Sequence, residues 1–341
     1  MKTILVTGGA GYIGSHVVLA LQDAGERVVV LDDLSTGEAC SLVGQTPFIQ
    51  GDVGDEALVA AILRDYGVDT VMHLAAKTKV RDSMADPLYY YEQNTARTLA
   101  LLRCCVATSV PHFVLSSTAA VYGVLPNGYA DEDHPCCPIN PYGSSKWMAE
   151  RMLRDTALAS CLRHVIFRYF NVGGIDPQRR ITRVESAPTQ LLKRAARTVL
   201  GLQGNIEVYG NQFPTPDGTC IRDYIHVHDV AAAHVLALRH LRNAGVSCTL
   251  NLGYGRGVSV LEVVQGFEAL TGKRLPMEIG EARPGDPPIL VAHASRAREV
   301  LGWEPIFTAL PDLLASALEA QAQSVPCPPE NPDVLRSERP R

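Results

Sequence analysis

The sequence predicts an α/β protein, a doubly wound parallel sheet followed by a smaller α/β C-terminal lobe. Three observations carry this. Glycines 8, 11 and 14, in Thr7-Gly-Gly-Ala-Gly-Tyr-Ile-Gly-Ser-His16, separate an apolar strand (Lys2–Val6) from a segment with apolar residues at helical spacing. A second apolar run, Arg27 to Leu31, ends on the acid Asp32, close to the ~20-residue offset seen where a carboxylate meets ribose hydroxyls. Strand and helix patterns then alternate steadily as far as Ser160, which implies parallel strands with right-handed crossovers.

The strand, glycine turn and helix together form a dinucleotide-binding unit of Rossmann type. Glycines let the backbone approach a pyrophosphate, and the helix N-terminus offers free N–H groups. Gly25 stops the first helix. Asp33, Ser35, Thr36 and Gly37 form a turn-rich loop after the second strand, and Thr46–Gln50 is a short third strand ending at Gly51-Asp52-Val53. Two roles are open for Asp52: bonding an adenine amino group, or capping a helix over Glu56–Tyr66. Val68–Leu74 is a fourth strand, and the small residues Ala75 and Ala76 at its end leave room for a flat ligand on the crevice side.

A long helix is expected from Pro87 to Ser109, carrying Gln93 and Asn94, then a strand from His112 to Leu115 that runs into a hydroxyl-rich rim at Ser116-Ser117-Thr118. After a proline-rich loop, a helix over Ser144–Ala159 brings in Tyr142 and Lys146, four residues apart and so on one helix face. A lysine ammonium and a nicotinamide cation beside a phenol favour phenolate, which makes Tyr142 a candidate general base. Arg163–Phe167 is the sixth strand, followed by Arg168-Tyr169-Phe170-Asn171.

Past Asn171 the rhythm breaks. A helix over Thr189–Leu200, a strand over Ile206–Tyr209, a helix over His228–Leu241 and a strand over Thr249–Leu252 are followed by helices near Val260–Leu270, Ser295–Leu301 and Leu310–Ala322. The expected division is a dinucleotide domain over 1–172 to which 219–253 returns, and a substrate lobe from 173–218 and 254–323. Residues 324–341, rich in proline and charge, read as a disordered tail. Arg222 and Arg283 are candidate diphosphate clamps, because a guanidinium fork matches phosphate oxygens.

Composition narrows the function classes. The chain has 341 residues, 46% hydrophobic and 20% charged, with net charge −5, which argues against nucleic acid as a partner. No apolar run approaches the ~18 residues of a membrane span. Nine scattered cysteines without a C-x-x-C pair argue against a metal site or a disulfide framework and fit free thiols in a reducing cytoplasm, the expected location, and without a signal-peptide pattern export is not expected.

With these residues in view, the chain resembles the extended short-chain dehydrogenase/reductases to about Ala322, and among them the UDP-glucose 4-epimerase family. The resemblance rests on the glycine stretch, Tyr142-x-x-x-Lys146, Arg168-Tyr169-Phe170-Asn171, the block Pro216-Asp-Gly-Thr-Cys-Ile-Arg-Asp-Tyr-Ile-His226, and Arg283-Pro-Gly-Asp286. It implies NAD as cofactor, lined by Gly8, Gly11, Tyr12, Ile13, Gly14, Asp32, Asp33, Ser35, Thr36, Gly37, Asp52, Val53, Leu74, Ala75, Ala76, Lys77, Gln93, Asn94 and Phe170, with Asp32 repelling a 2′-phosphate. It implies Tyr142 as base, Lys146 as its partner on the nicotinamide ribose and Thr118 on the sugar 4-hydroxyl. Asn171, Tyr209, Arg222, Arg283, Asp286 and Leu290 would hold a UDP-sugar, and the protein would be a homodimer through the Pro87–Ser109 and Ser144–Ala159 helices.

The chain departs from the family at Lys77-Thr78, Gln93 and Gln190. Leu290 stands where some members carry a bulky Tyr, which implies room for N-acetylated sugars. A 4-epimerase of a UDP-pentose or UDP-uronate is the alternative. A sugar-nucleotide dehydratase would need an Asp-Glu pair where this chain has Ala119-Ala120, and a non-catalytic NAD sensor would have no use for Thr118, Tyr142 and Lys146 together.

Overall fold

The computed structural model describes residues 2–181, 190–283 and 286–323. The expected tail therefore lies outside the described residues, as do Pro284, Gly285 and the start of the helix expected from Thr189.

β1 (Thr3–Thr7) leads through the glycine turn into α1 (Tyr12–Asp23), and Gly25, at φ +76°, turns the chain into β2 (Arg27–Asp32). β3 (Phe48–Gln50), α2 (Glu56–Asp65) and β4 (Val68–His73) repeat the unit. The cap of α2 is Asp55, whose carboxylate accepts from the Leu58 N–H at 3.0 Å. The Asp52 carboxylate accepts instead from the Gly54 N–H, so the capping role considered for it is removed.

The helix expected from Pro87 to Ser109 is more divided than its pattern implied. α3 (Val80–Ala85) precedes it, α4 (Pro87–Tyr91) is capped by Asp86, and a π-helical stretch over Glu92–Ala96 intervenes before α5 (Arg97–Ala107). β5 (His112–Thr118) carries the hydroxyl rim, and β6 (Tyr129–Ala130) is a two-residue strand in the proline-rich loop. α6 (Pro141–Leu158) starts three residues before Ser144. Asn140 caps it by accepting from Gly143 N–H at 2.8 Å, and proline suits the first helical position. β7 (Arg163–Tyr169) and β8 (Asn171–Gly173) follow.

The remaining elements are α7 (Leu191–Val199), β9 (Ile206–Tyr209), β10 (Ile221–His226), α8 (Val227–Arg242), β11 (Cys248–Leu252), β12 (Gly257–Ser259), α9 (Val260–Thr271), β13 (Met277–Gly280), β14 (Ile289–Ala292), α10 (Ser295–Leu301) and α11 (Leu310–Ala322). α9 begins with a full capping box between Ser259 and Glu262.

Seven strands form one parallel sheet in the order β11-β7-β5-β4-β1-β2-β3. Its central strands are apolar on both faces, as a sheet covered on both sides requires. On one face Val6, Val30 and Phe167 pack with α1, α8 and Trp303; on the other Leu5, Leu31 and Leu115 pack with α2, α5 and α6. The smaller sheet is assembled around β10. β12 lies antiparallel on one side, while β8 and β14 pair in parallel with its C-terminal and N-terminal halves. Because Ile221–His226 belongs to this smaller sheet, the segment rejoining the large sheet starts with α8, at Val227 rather than at 219. α10 also packs with Trp303 on the large layer, through Ala297.

Candidate active site

A cavity of about 880 Å³ opens where the strands of the large sheet end, walled on its far side by the smaller lobe. One end is built from backbone. Gly8 sits at φ +71°, and a Cβ there would come 2.5 Å from the Ala75 nitrogen. At Gly14 a Cβ would lie 2.0 Å from the Gly8 carbonyl oxygen. These two contacts hold the turn against β4 and leave a cradle that no side chain fills. Gly11, the N-cap of α1, brings no side-chain cap, so the first N–H groups of the helix face the cradle. Gly8, Gly11, Tyr12, Ile13, Gly14, Leu74, Ala75 and Ala76 line it, and this donor set fits a dinucleotide pyrophosphate.

Asp32 lies on the wall with its carboxylate oriented by two amides, Ala10 N–H and Leu34 N–H, each at 2.9 Å. Burial pushes its pKa up and the amides pull it back. Asp33, Ser35, Thr36 and Lys77 line the same end. Lys77 stands 3.9 Å from Asp33 and donates to the Ser35 hydroxyl. Gly37 instead packs under Ala10, off the cavity wall, where a Cβ would be 2.9 Å from the Ala10 carbonyl carbon.

Asp52 and Val53 close this end. The Asp52 carboxylate accepts from Gly54 N–H at 2.7 Å and pairs with Arg97 at 2.8 Å. Gln93 lines the cavity and accepts from Arg97 at 2.5 Å. Asn94 does not reach the wall. It is buried, accepts from Lys77 N–H at 2.8 Å, and donates to the Lys77 carbonyl and the Ser145 hydroxyl. Its work is to pin the Lys77 loop to α6.

The other end carries the acid–base groups. Gly143 lets α6 approach the Ala120 carbonyl, where a Cβ would sit at 2.5 Å. One turn apart on the helix face exposed to the cavity stand Tyr142 and Lys146, with Thr118 beside them at the end of β5. Burial raises the Tyr142 phenol above its ordinary value, and the Thr118 hydroxyl, bonding to it, works the other way. The lowering expected from Lys146 is therefore not achieved by the chain's own groups. Lys146 is 2% exposed, and burial lowers its pKa to about 8, with Glu150 one turn further on acting against the fall.

Glu150 was not anticipated. Fully buried, it takes Arg168 in two bonds of 3.0 and 2.8 Å, the Ser117 hydroxyl at 2.5 Å and Arg154 at 2.9 Å. Its i+4 spacing from Lys146 was a signal available in the sequence.

Facing these groups, Phe170, Asn171, Arg222, Asp286 and Leu290 line the cavity, with Arg222 3.6 Å from Asp286. Tyr224 and Lys193, both missed, join them; Lys193 Nζ lies 3.9 Å from the centre of the Tyr12 ring. No periodicity marks Lys193 out. Tyr209 and Arg283 stand back from the wall: the Arg283 guanidinium stacks 3.4 Å over the Tyr209 ring, and Tyr209 donates to Glu207.

Comparison with known proteins gives the family of the chain. The model of the NAD dependent epimerase/dehydratase family matches residues 4–253. A UDP-glucose 4-epimerase of Azospirillum brasilense is 50% identical, over 92% of this chain and 90% of that protein. The UDP-glucose 4-epimerase of Halalkalibacterium halodurans is 43% identical, over 92% of this chain and 94% of its own length. Among solved structures, the Brucella ovis UDP-glucose 4-epimerase in complex with NAD superposes with a TM-score of 0.90 at 41% identity, covering 94% of this chain and 98% of its own. The Bifidobacterium longum UDP-glucose 4-epimerase in complex with NAD+ and UDP does so at 0.89 and 35%, covering 94% and 98%.

Proposed function

This chain belongs to the NAD dependent epimerase/dehydratase family, and on that premise we propose how its residues divide the work. Its activity is the NAD-dependent epimerisation of a UDP-hexose at C4, an isomerase reaction. NAD is the cofactor and supplies the hydride acceptor that takes and then returns one hydride.

The chain's residues supply placement and proton management. Tyr142 takes the proton of the sugar 4-hydroxyl, Thr118 bonds the same oxygen, and the Lys146 ammonium stabilises the phenolate that Tyr142 must become. Asn171, Arg222 and Asp286 anchor the nucleotide end while the 4-keto sugar turns over inside the cavity. Tyr142 returns the proton when the opposite face is reduced, so no net redox change occurs. Arg283, stacked on Tyr209, closes over the diphosphate.

The observation that supports this reading is one wall carrying Thr118, Tyr142 and Lys146 in line with the glycine cradle. Purified full chain, without added NAD, should interconvert UDP-glucose and UDP-galactose, and Tyr142→Phe should lower kcat about 10³-fold. Full-speed turnover by that variant overturns the role of Tyr142, and reduced nicotinamide accumulating in solution overturns the isomerase cycle.

The chain also works as a homodimer in the cytoplasm. Leu99 of α5 and Met148 of α6 are 39% and 44% exposed and flank a shallow apolar depression with Tyr91 and Ala96, a face a second copy would cover. Cys104, Cys105, Cys220 and Cys248 carry free thiols, which suits a reducing compartment. A monomer throughout sedimentation at micromolar concentration removes the dimer.

A further inference from the structure

Lys193 lines the cavity yet has no part in the division of work above. It lies on α7, whose residues Leu192, Ala195 and Ala196 pack into the core of the smaller lobe. Its side chain crosses to the opposite wall. Lys193 is 9% exposed, and its Nζ rests 3.9 Å from the centre of the Tyr12 ring, a cation–π contact that joins the smaller lobe to the first residue of α1.

The ring under the ammonium is a fixed platform. Its hydroxyl donates to the Gly174 carbonyl at 2.6 Å, and the His16 ring packs against it in a T at 5.4 Å. Burial lowers the His16 pKa to about 4 and the Lys193 charge acts in the same direction, so His16 is neutral near pH 7 and brings no second cation to the ring.

Charge decides what a lysine can do beside the glycine cradle. A dinucleotide pyrophosphate carries two negative charges, whereas a helix N-terminus supplies the equivalent of roughly half an elementary charge. Other cations on the wall are drawn away from the cradle: Lys77 to Asp33, Arg97 to Asp52, and Arg222 to Asp286 in the smaller lobe. Resting on the NAD reading above, we propose that Lys193 is a cofactor-binding residue whose ammonium, steered by Tyr12, contacts the pyrophosphate held in the cradle. The lobe that takes the sugar thereby also helps to hold the cofactor.

The test titrates nucleotide-stripped full chain, by calorimetry, with ADP-ribose, which carries the pyrophosphate, with adenosine, which does not, and with UDP. Lys193→Met should weaken ADP-ribose about 10-fold, the loss of one charged hydrogen bond, while adenosine and UDP stay within about 2-fold. Lys193→Arg should bring ADP-ribose back to within about 3-fold of the unaltered chain. Added salt should weaken ADP-ribose less in Lys193→Met than in the unaltered chain. If Lys193→Met does not fold, as judged by thermal melting, Lys193→Gln takes its place. An ADP-ribose affinity that the folded variant keeps, or a loss as large for adenosine or for UDP, overturns the proposal. An unaltered chain that binds no ADP-ribose overturns the NAD reading instead.

Discussion

The two sides of the cavity are made of different materials. On the large sheet the nucleotide face is mostly backbone: Gly8, Gly14 and the start of α1 shape it, and even Asp32 is oriented by main-chain amides. Across from it, the smaller lobe presents side chains, among them Asn171, Arg222 and Leu290 on β8, β10 and β14 and Asp286 ahead of β14, gathered from distant parts of the chain. A backbone surface cannot be varied without moving the fold, whereas a side-chain surface can be retuned one residue at a time. On the proposed reading, the constant chemistry belongs to the first side and the choice of sugar to the second.

The most severe challenge to this contrast is Gly14→Ala. The new Cβ would meet the Gly8 carbonyl at 2.0 Å and the Gly9 Cα at 2.8 Å, backbone atoms that cannot rotate away. It should lose bound NAD and about 3 kcal/mol or more of stability, read from nucleotide content and thermal unfolding. A variant with full NAD and an unchanged Tm breaks the idea that this side is defined by its main chain.

The same contrast explains what could be read in advance. Over β1–α1, β3–α2, β4–α3 and α6–β7 strand and helix are neighbours in the chain, so the signal is local, and the positions of Asp32, Thr118, Tyr142 and Lys146 on one rim follow from chain order. β6, β12 and β14 have two to four residues each and are completed by partners far away in sequence, so no local pattern marks them. The π turn hides for a related reason: composition across Pro87–Ser109 favours a helix throughout, and only the buried Asn94 clamp on Lys77 and Ser145 shows why the winding changes. Asp52 illustrates a different gap. Its residue type allowed two roles, and only the placement of Asp55 three residues later in the chain decided against one.

An intermediate effect is expected at Glu150, where the acid–base wall meets the core. Glu150→Gln leaves Arg168 without its buried carboxylate, at a cost of about 3 kcal/mol. It also removes the charge that sustains Lys146, so the amine should fall further below about 8 and the alkaline limb of kcat should move to lower pH. Between about 8 and the ordinary 10.5 the unfolded chain holds a proton that folded Lys146 releases, so this group adds stability as pH rises through that window. A destabilised variant with an unmoved pH profile would make Glu150 purely architectural.

The smallest effect belongs to the side-chain surface. Leu290 packs beside Phe170 and Ala119 at the sugar end. UDP-N-acetylglucosamine should be turned over, and Leu290→Tyr should cut that activity about 10-fold while sparing UDP-glucose. No turnover of the acetylated sugar by the unaltered chain, measured beside UDP-glucose, removes the difference drawn between the two sides at this position.

β10 has a consequence for motion. Tyr224–His226 pairs with β8, which continues from the large sheet, and Ile221–Arg222 pairs with β14 in the smaller lobe, so successive residues of one strand are stitched to both halves. A hinge needs a stretch of chain whose amides are free to swing, and here the joint is itself woven. The jaws of this enzyme are consequently riveted rather than hinged. Its cargo has to somersault inside a chamber of nearly constant dimensions, and traffic through the doorway depends on loops at the rim.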